Sequence, residues 1–134
     1  MNNLKLGQLA EEIASNFLRK KGYIILERNF KNKIGEIDII AIRPTNILQY
    51  FFRKRIFPSS RIIFVEVKAS KTKSFFSPEE RINYFKKQKL INLAYSYIKD
   101  KKIKNSFQID AIRIYFENKK EVKIKHIENA VEED

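Results

Sequence analysis

The chain has 134 residues, close to the commonest size of one domain, and 43% of them are apolar, enough for a packed interior. It has no cysteine, which excludes disulfides and thiolate metal sites, and only three glycines and three prolines, too few for a linker-rich protein. Twenty-eight lysines and arginines against sixteen acidic residues leave a net charge of +12, a field that draws polyanions, with nucleic acid the first candidate and an anionic membrane surface the second.

A lysine-rich composition of no functional meaning would give the same excess. No run approaches the roughly 18 apolar residues of a membrane-spanning helix. The opening "MNNLKLGQLAEE" lacks the apolar centre of a signal peptide and soon turns acidic. The expectation is one cytoplasmic domain over residues 1–134, away from the membrane.

Residues 4–21 predict an amphipathic helix, because Leu6, Leu9, Ala10, Ile13, Ala14, Phe17 and Leu18 recur at three- and four-residue intervals. Gly22 stands where a left-handed cap is needed, after Arg19, Lys20 and Lys21, which suit the negative end of the helix dipole. "YIILERNF" (23–30) predicts a first strand, "KNKIG" a turn and "EIDIIAIR" (36–43) a second strand. Residues 44–60 form a long connection framed by prolines, with "YFFRKR" at its centre. A third strand, "RIIFVEVKAS", follows.

Ser77-Pro78-Glu79-Glu80 reads as a capping box with proline in the first turn, starting a helix that breaks near Asn83 and resumes over 86–102. Residues 106–117 and 121–128 predict two further strands joined as a hairpin, and the acidic tail "NAVEED" is expected to fray. Helix, three strands, helix and two strands imply an α/β protein with a mixed sheet and helices on its faces.

Alternation puts Glu36, Asp38, Ile40 and Ile42 on one side of the second strand, and Ile37, Ile39 and Ala41 on the other. In the third strand Ile62, Phe64, Glu66 and Lys68 share a side. Antiparallel pairing would set Asp38 beside Glu66. Two carboxylates that close stay ionised together only with a cation between them. Mg²⁺ suits such a pair, since it takes one or two carboxylates alongside substrate phosphate. A neighbouring lysine could then orient water or stabilise charge during attack on phosphorus. The bland alternative is a Glu66–Lys68 salt bridge at a strand end, with Asp38 a turn residue. Glu11 lies at the edge of the apolar helix stripe, while Glu12 points further towards solvent. It is either a solvated glutamate or a carboxylate reaching over the sheet.

These residues resemble the PD-(D/E)xK nuclease superfamily, with its restriction-endonuclease-like fold. The whole chain is similar to the YraN family, small bacterial proteins related to archaeal Holliday-junction resolvases. That family's G-x-x-G-E-x-x-A is met by Gly7, Ala10, Glu11 and Ala14, with alanine for the second glycine. Its "GY-x-IL-x-x-N" is met by residues 22–29, "GEIDLIA" by Gly35 through Ala41 and "FVEVK" by Phe64 through Lys68. "SPEE", Lys86, Leu90, Ala94, Ile109-Asp110 and "HIENA" (126–130) complete the match. Two further departures are the longer 44–60 connection and Phe76 at a common glycine position; none touches Glu11, Asp38, Glu66 or Lys68.

The resemblance implies a mixed central β-sheet flanked by helices, and Mg²⁺ or Mn²⁺ held by Asp38, Glu66 and the Val67 carbonyl. It further implies Lys68 as the catalytic lysine and Glu11 as the helix glutamate that completes the site. Glu36 points the same way as Asp38, and its role stays open. Arg28, Lys31, Lys33, Lys71 and Lys73 are the expected contacts to a DNA backbone. Lys86 is either another such contact or a solvated helix lysine, and Gln88 could play a similar part. His126, the only histidine, reads as structural. "YFFRKR" interleaves aromatics with cations, as nucleic-acid contacts do, or marks a partner surface. A homodimer fits the way resolvases cut two strands symmetrically. The alternatives to a DNA endonuclease are a non-catalytic nucleic-acid-binding module on the same fold and a protein that docks an acidic partner.

Overall fold

The structure is a computed structural model that describes residues 3–44, 60–71, 84–118 and 120–131. Helix α1 (Asn3–Lys20) leads into strands β1 (Ile24–Lys31), β2 (Glu36–Arg43) and β3 (Arg61–Ser70). Helix α2 (Tyr84–Asp100) and strands β4 (Phe107–Phe116) and β5 (Val122–Ile127) follow. The five strands form one sheet in chain order. β3 and β4 run parallel and the other neighbours antiparallel, so the sheet is mixed, as the order of elements implies. The capping box at 77–80, the "YFFRKR" run and Lys73 lie outside the described residues.

Each helix covers one face of the sheet. Ala10, Ala14 and Leu18 of α1 pack on Ile39, Ala41, Ile63, Val65, Ile112 and Ile114. Leu90, Leu93, Ala94 and Tyr97 of α2 pack on Ile40, Ile42, Ile62, Phe64 and Ile109. β2 and β3 therefore need apolar residues on both faces, which is why they read as near-continuous isoleucine and valine. Each fully buried isoleucine contributes about 1.5–3 kcal/mol.

α1 ends as its sequence predicts. Gly22 is left-handed (φ 93°), its N–H donates to the Arg19 carbonyl, and the Tyr23 N–H donates to the Leu18 carbonyl. α2 ends with the same pair of bonds, Lys102 to Lys99 and Ile103 to Ile98, but a lysine takes the left-handed position (φ 54°).

Two expectations are corrected. Asn129–Val131 does not fray: the Ala130 N–H donates to the Ile109 carbonyl at 2.8 Å, and Val131 is buried in the α2-side core. A backbone hydrogen bond and burial hold these three residues, and the acidic residues 132–134 lie outside the described residues. Ile37 does not share the face of Ile39 and Ala41 but joins the α2-side core. Its partner Phe30 does the same, stacking edge-on against Tyr97 at 5.2 Å. Left-handed Asn29 (φ 54°), after a bulge between Ile25 and Glu27, breaks the alternation of β1 at this point and carries the paired end of β2 with it.

Candidate active site

The reversal at Ile37 leaves Asp38 at a seam, between a residue buried under α2 and one buried under α1. Registered pairing of β2 with β3 stops at Ile39–Val65, one step before Asp38 and Glu66 would face each other. Beyond that point the Asp38 carboxylate takes the place of a strand partner. Its Oδ2 accepts the Val67 N–H at 2.7 Å. The carbonyl of a strand residue leaves by the same edge as its N–H, so the Val67 carbonyl is directed to this side as well.

The electrostatics are those of a crowded acidic site. Burial pushes the Asp38 carboxyl up to about 7; the Val67 N–H opposes this, while Glu11, Glu66 and Glu36 add to it. Glu11 is half-buried and Glu12 exposed, as their helix positions predict. Glu66 is only 7% exposed. Its Oε1 pairs with the Lys86 ammonium of α2, and its Oε2 is buried with no hydrogen-bond partner among the described residues. An unsatisfied buried carboxylate oxygen costs about 1–3 kcal/mol or more, which a cation placed against it would recover. A carboxylate set with no nitrogen or sulfur donor fits a hard, oxygen-loving ion of the Mg²⁺ or Mn²⁺ kind.

Glu36, Ile37, Asp38, Glu66, Val67, Lys86, Lys89, Leu90 and Leu93 line an open cleft of about 590 Å³. Lys68 is exposed at the end of β3, and alternation puts it on the Glu66 side. The expected backbone contacts are dispersed. Arg28 pairs with Glu12 at 2.7 Å, and Lys31 lies 3.7 Å from Glu36. Lys33 and Lys71 are exposed, and Gln88 is half-buried on α2. Lys89 went unrecognised in the sequence. The signal available was its spacing: it lies three residues after Lys86 and just before Leu90, on the helix side that turns to the sheet.

A second polar cluster lies under the other end of α1. Carboxylate and imidazole atoms of Asp110, His126 and Glu128 lie within 4.8 Å of one another, a spacing that could hold a metal ion. Every one of these groups is already engaged. His126 Nε2 is 2.8 Å from Asp110 Oδ2, and its Nδ1 is 2.9 Å from the Lys21 ammonium. Asp110 Oδ1 accepts from Gln108 and from the Asn129 N–H. Glu128 accepts from Tyr23 and Arg43. Two protein cations occupy the rim where a metal would bring more positive charge. The cluster ties β5 and the chain after it to the end of α1, in keeping with the structural reading of His126.

A mixed five-stranded sheet with a helix on each face is consistent with the nuclease-like α/β fold that the family resemblance implies. The chain belongs to the uncharacterised protein family UPF0102, the YraN family of the sequence resemblance; the family profile matches residues 10–114. A UPF0102 protein of Caldanaerobacter subterraneus is 37% identical over 133 residues, 97% of each chain. One from Desulforamulus reducens is 38% identical over 129 residues, 94% of each chain. One from Clostridioides difficile is 37% identical over 131 residues, covering 97% of this chain and 99% of that one. Among the described residues, no helix is long and apolar enough to cross a membrane.

Proposed function

We propose that this protein is a Mg²⁺- or Mn²⁺-dependent endonuclease that hydrolyses phosphodiester bonds in DNA, with branched or structured DNA as the favoured substrate. One observation carries the reading. Half-buried Asp38 and buried Glu66 line one cleft where the registered pairing of β2 with β3 stops, and one Glu66 oxygen has no hydrogen-bond partner among the described residues. Asp38, Glu66 and the Val67 carbonyl would hold the ion, and Glu11 would complete the set from α1. When bound, the ion supplies Lewis acidity and a water of lowered pKa. Lys68 would orient the attacking water and stabilise charge on the phosphate oxygens as they become more negative. Lys86 neutralises Glu66 and lies at the mouth of the cleft, where a diester would arrive. The net charge of +12 holds the polyanion.

A second reading, a nucleic-acid-binding module without catalysis, draws on the Lys86–Glu66 pair, which neutralises one carboxylate without any metal. One experiment separates the two. Linear duplex, single-stranded and four-way-junction DNA are incubated with the protein in Mg²⁺ or Mn²⁺, beside Asp38→Asn and Lys68→Ala. The endonuclease cuts at least one substrate, and both variants lose the cut. Binding without cleavage in any metal selects the second reading, and cleavage unchanged in both variants removes Asp38 and Lys68 from the mechanism.

A further inference from the structure

The turn between β1 and β2 is tied to α2 at two points. Asn32 closes the turn on itself, accepting the N–H groups of Ile34 and Gly35, and its amide donates to Ser96 of α2 at 3.1 Å. The second point is tighter. A Cβ on Gly35 would lie 2.5 Å from Lys89 Cε and 3.3 Å from Lys89 Nζ. Gly35 has no left-handed φ that would itself demand glycine. Its missing side chain instead leaves a notch that the end of Lys89 fills.

The notch opens on the carboxylate cleft, which Lys89 lines together with Glu36, Asp38 and Glu66. Lys86 and Lys89 stand three residues apart on one face of α2. Lys86 reaches across to Glu66 in the middle of β3, and Lys89 to Gly35 just before β2. Two ammonium groups therefore flank the cleft on its α2 side. Lys86 is committed to a carboxylate, whereas Lys89 makes no ion pair or hydrogen bond among the described residues. Lys89 is exposed, so its ammonium, which carries three donors and no acceptor, is accessible to an anion entering the cleft.

We infer that Lys89 binds a backbone phosphate of the nucleic acid in this cleft, and that Gly35 is glycine to let its side chain through. The inference rests on the reading of the cleft as a nucleic-acid site. It does not need the metal or the chemistry. It adds to that reading a second residue of α2 that touches the substrate and a reason for the glycine before Glu36-Ile37-Asp38.

The test is a double-mutant cycle on DNA binding without divalent metal, measured by fluorescence anisotropy across a salt series. Lys89→Ala is expected to weaken binding about five- to tenfold and to reduce the salt slope by about one, as the loss of one phosphate contact does. Lys89→Arg keeps most of the affinity. Gly35→Ala shifts the flexible end of Lys89 and weakens binding by no more than Lys89→Ala, and the double variant binds no worse than Lys89→Ala. A role in packing alone would lower the thermal midpoint of Lys89→Ala and leave the salt slope unchanged, which overturns the inference, as would losses that add. The Lys89 variants decide the matter even if Gly35→Ala fails to fold. The same proteins are then given Mn²⁺. Cleavage by the wild type with normal DNA binding by Lys89→Ala removes the inference and leaves the endonuclease. A Lys89 effect on binding with no cleavage does the reverse. A wild type that binds no DNA removes both.

Discussion

Two acidic clusters in this protein invite opposite readings, although each contains one buried carboxylate, Asp110 or Glu66, and both draw on neighbouring strands. Asp110, His126 and Glu128 have every charge answered by Lys21, Arg43, Gln108 and the Asn129 N–H. Asp38 and Glu66 have a carboxyl pushed up to about 7, two further glutamates in the field and an oxygen without a hydrogen-bond partner among the described residues. Satisfied polar groups hold a fold together, and unsatisfied ones cost stability unless something arrives to satisfy them. The geometric spacing of ligand atoms favours the first cluster as a metal site. The state of those atoms favours the second.

The largest expected effect separates the clusters by activity. Asp38→Asn or Glu66→Gln lowers DNA cleavage by about a thousandfold or more, on the scale of removing a principal electrostatic element of a site. His126→Ala leaves cleavage by the folded protein within about threefold, as an initial-rate assay would show.

Stability shows the reverse pattern. Asp110→Ala strips His126 Nε2 and the Asn129 N–H of their shared partner, and should destabilise the protein by about 3 kcal/mol in chemical denaturation. Asp38→Asn should stabilise it. The folded state holds a proton on Asp38 that the unfolded chain releases near pH 4. Stability from this group is therefore complete below about pH 4 and falls as pH rises towards about 7. Above pH 7 the asparagine variant should be more stable than the metal-free wild type, by an amount on the order of 2 kcal/mol. Denaturation at pH 5 and pH 8 checks this, and the gain should shrink at the lower pH. Proton and metal compete for the same carboxylate, so Mn²⁺ should raise the thermal midpoint more at pH 8 than at pH 6.

The smallest effects lie in the helix ends, away from both clusters. Lys102→Gly should stabilise by about 0.5–1 kcal/mol, because glycine takes the left-handed position without the cost that lysine meets. Gly22→Ala should destabilise by about 1 kcal/mol for the same reason in reverse.

Much of this was legible in the chain. The apolar spacing of α1 and its glycine cap, the three isoleucine-rich strands and the closing hairpin all follow from local periodicity and turn residues. Asp38 and Glu66 stood out because a charged residue among isoleucines needs a reason. What stayed hidden depends on contacts between elements. The face of Ile37 is decided by the backbone of Asn29 on the neighbouring strand, which no period-two pattern in β2 reports. The crowding at Gly35 comes from a lysine more than fifty residues away. The packing of Val131 depends on a backbone bond to Ile109 that an acidic tail does not advertise.

The contrast between the clusters comes down to where a divalent ion binds. Isothermal titration of Mn²⁺ into the wild type, Asp38→Asn and His126→Ala at pH 8 measures this without any substrate. Binding that persists in His126→Ala and disappears in Asp38→Asn is the predicted result. Binding that survives Asp38→Asn and is lost with His126, or no binding to the wild type at all, would contradict the account.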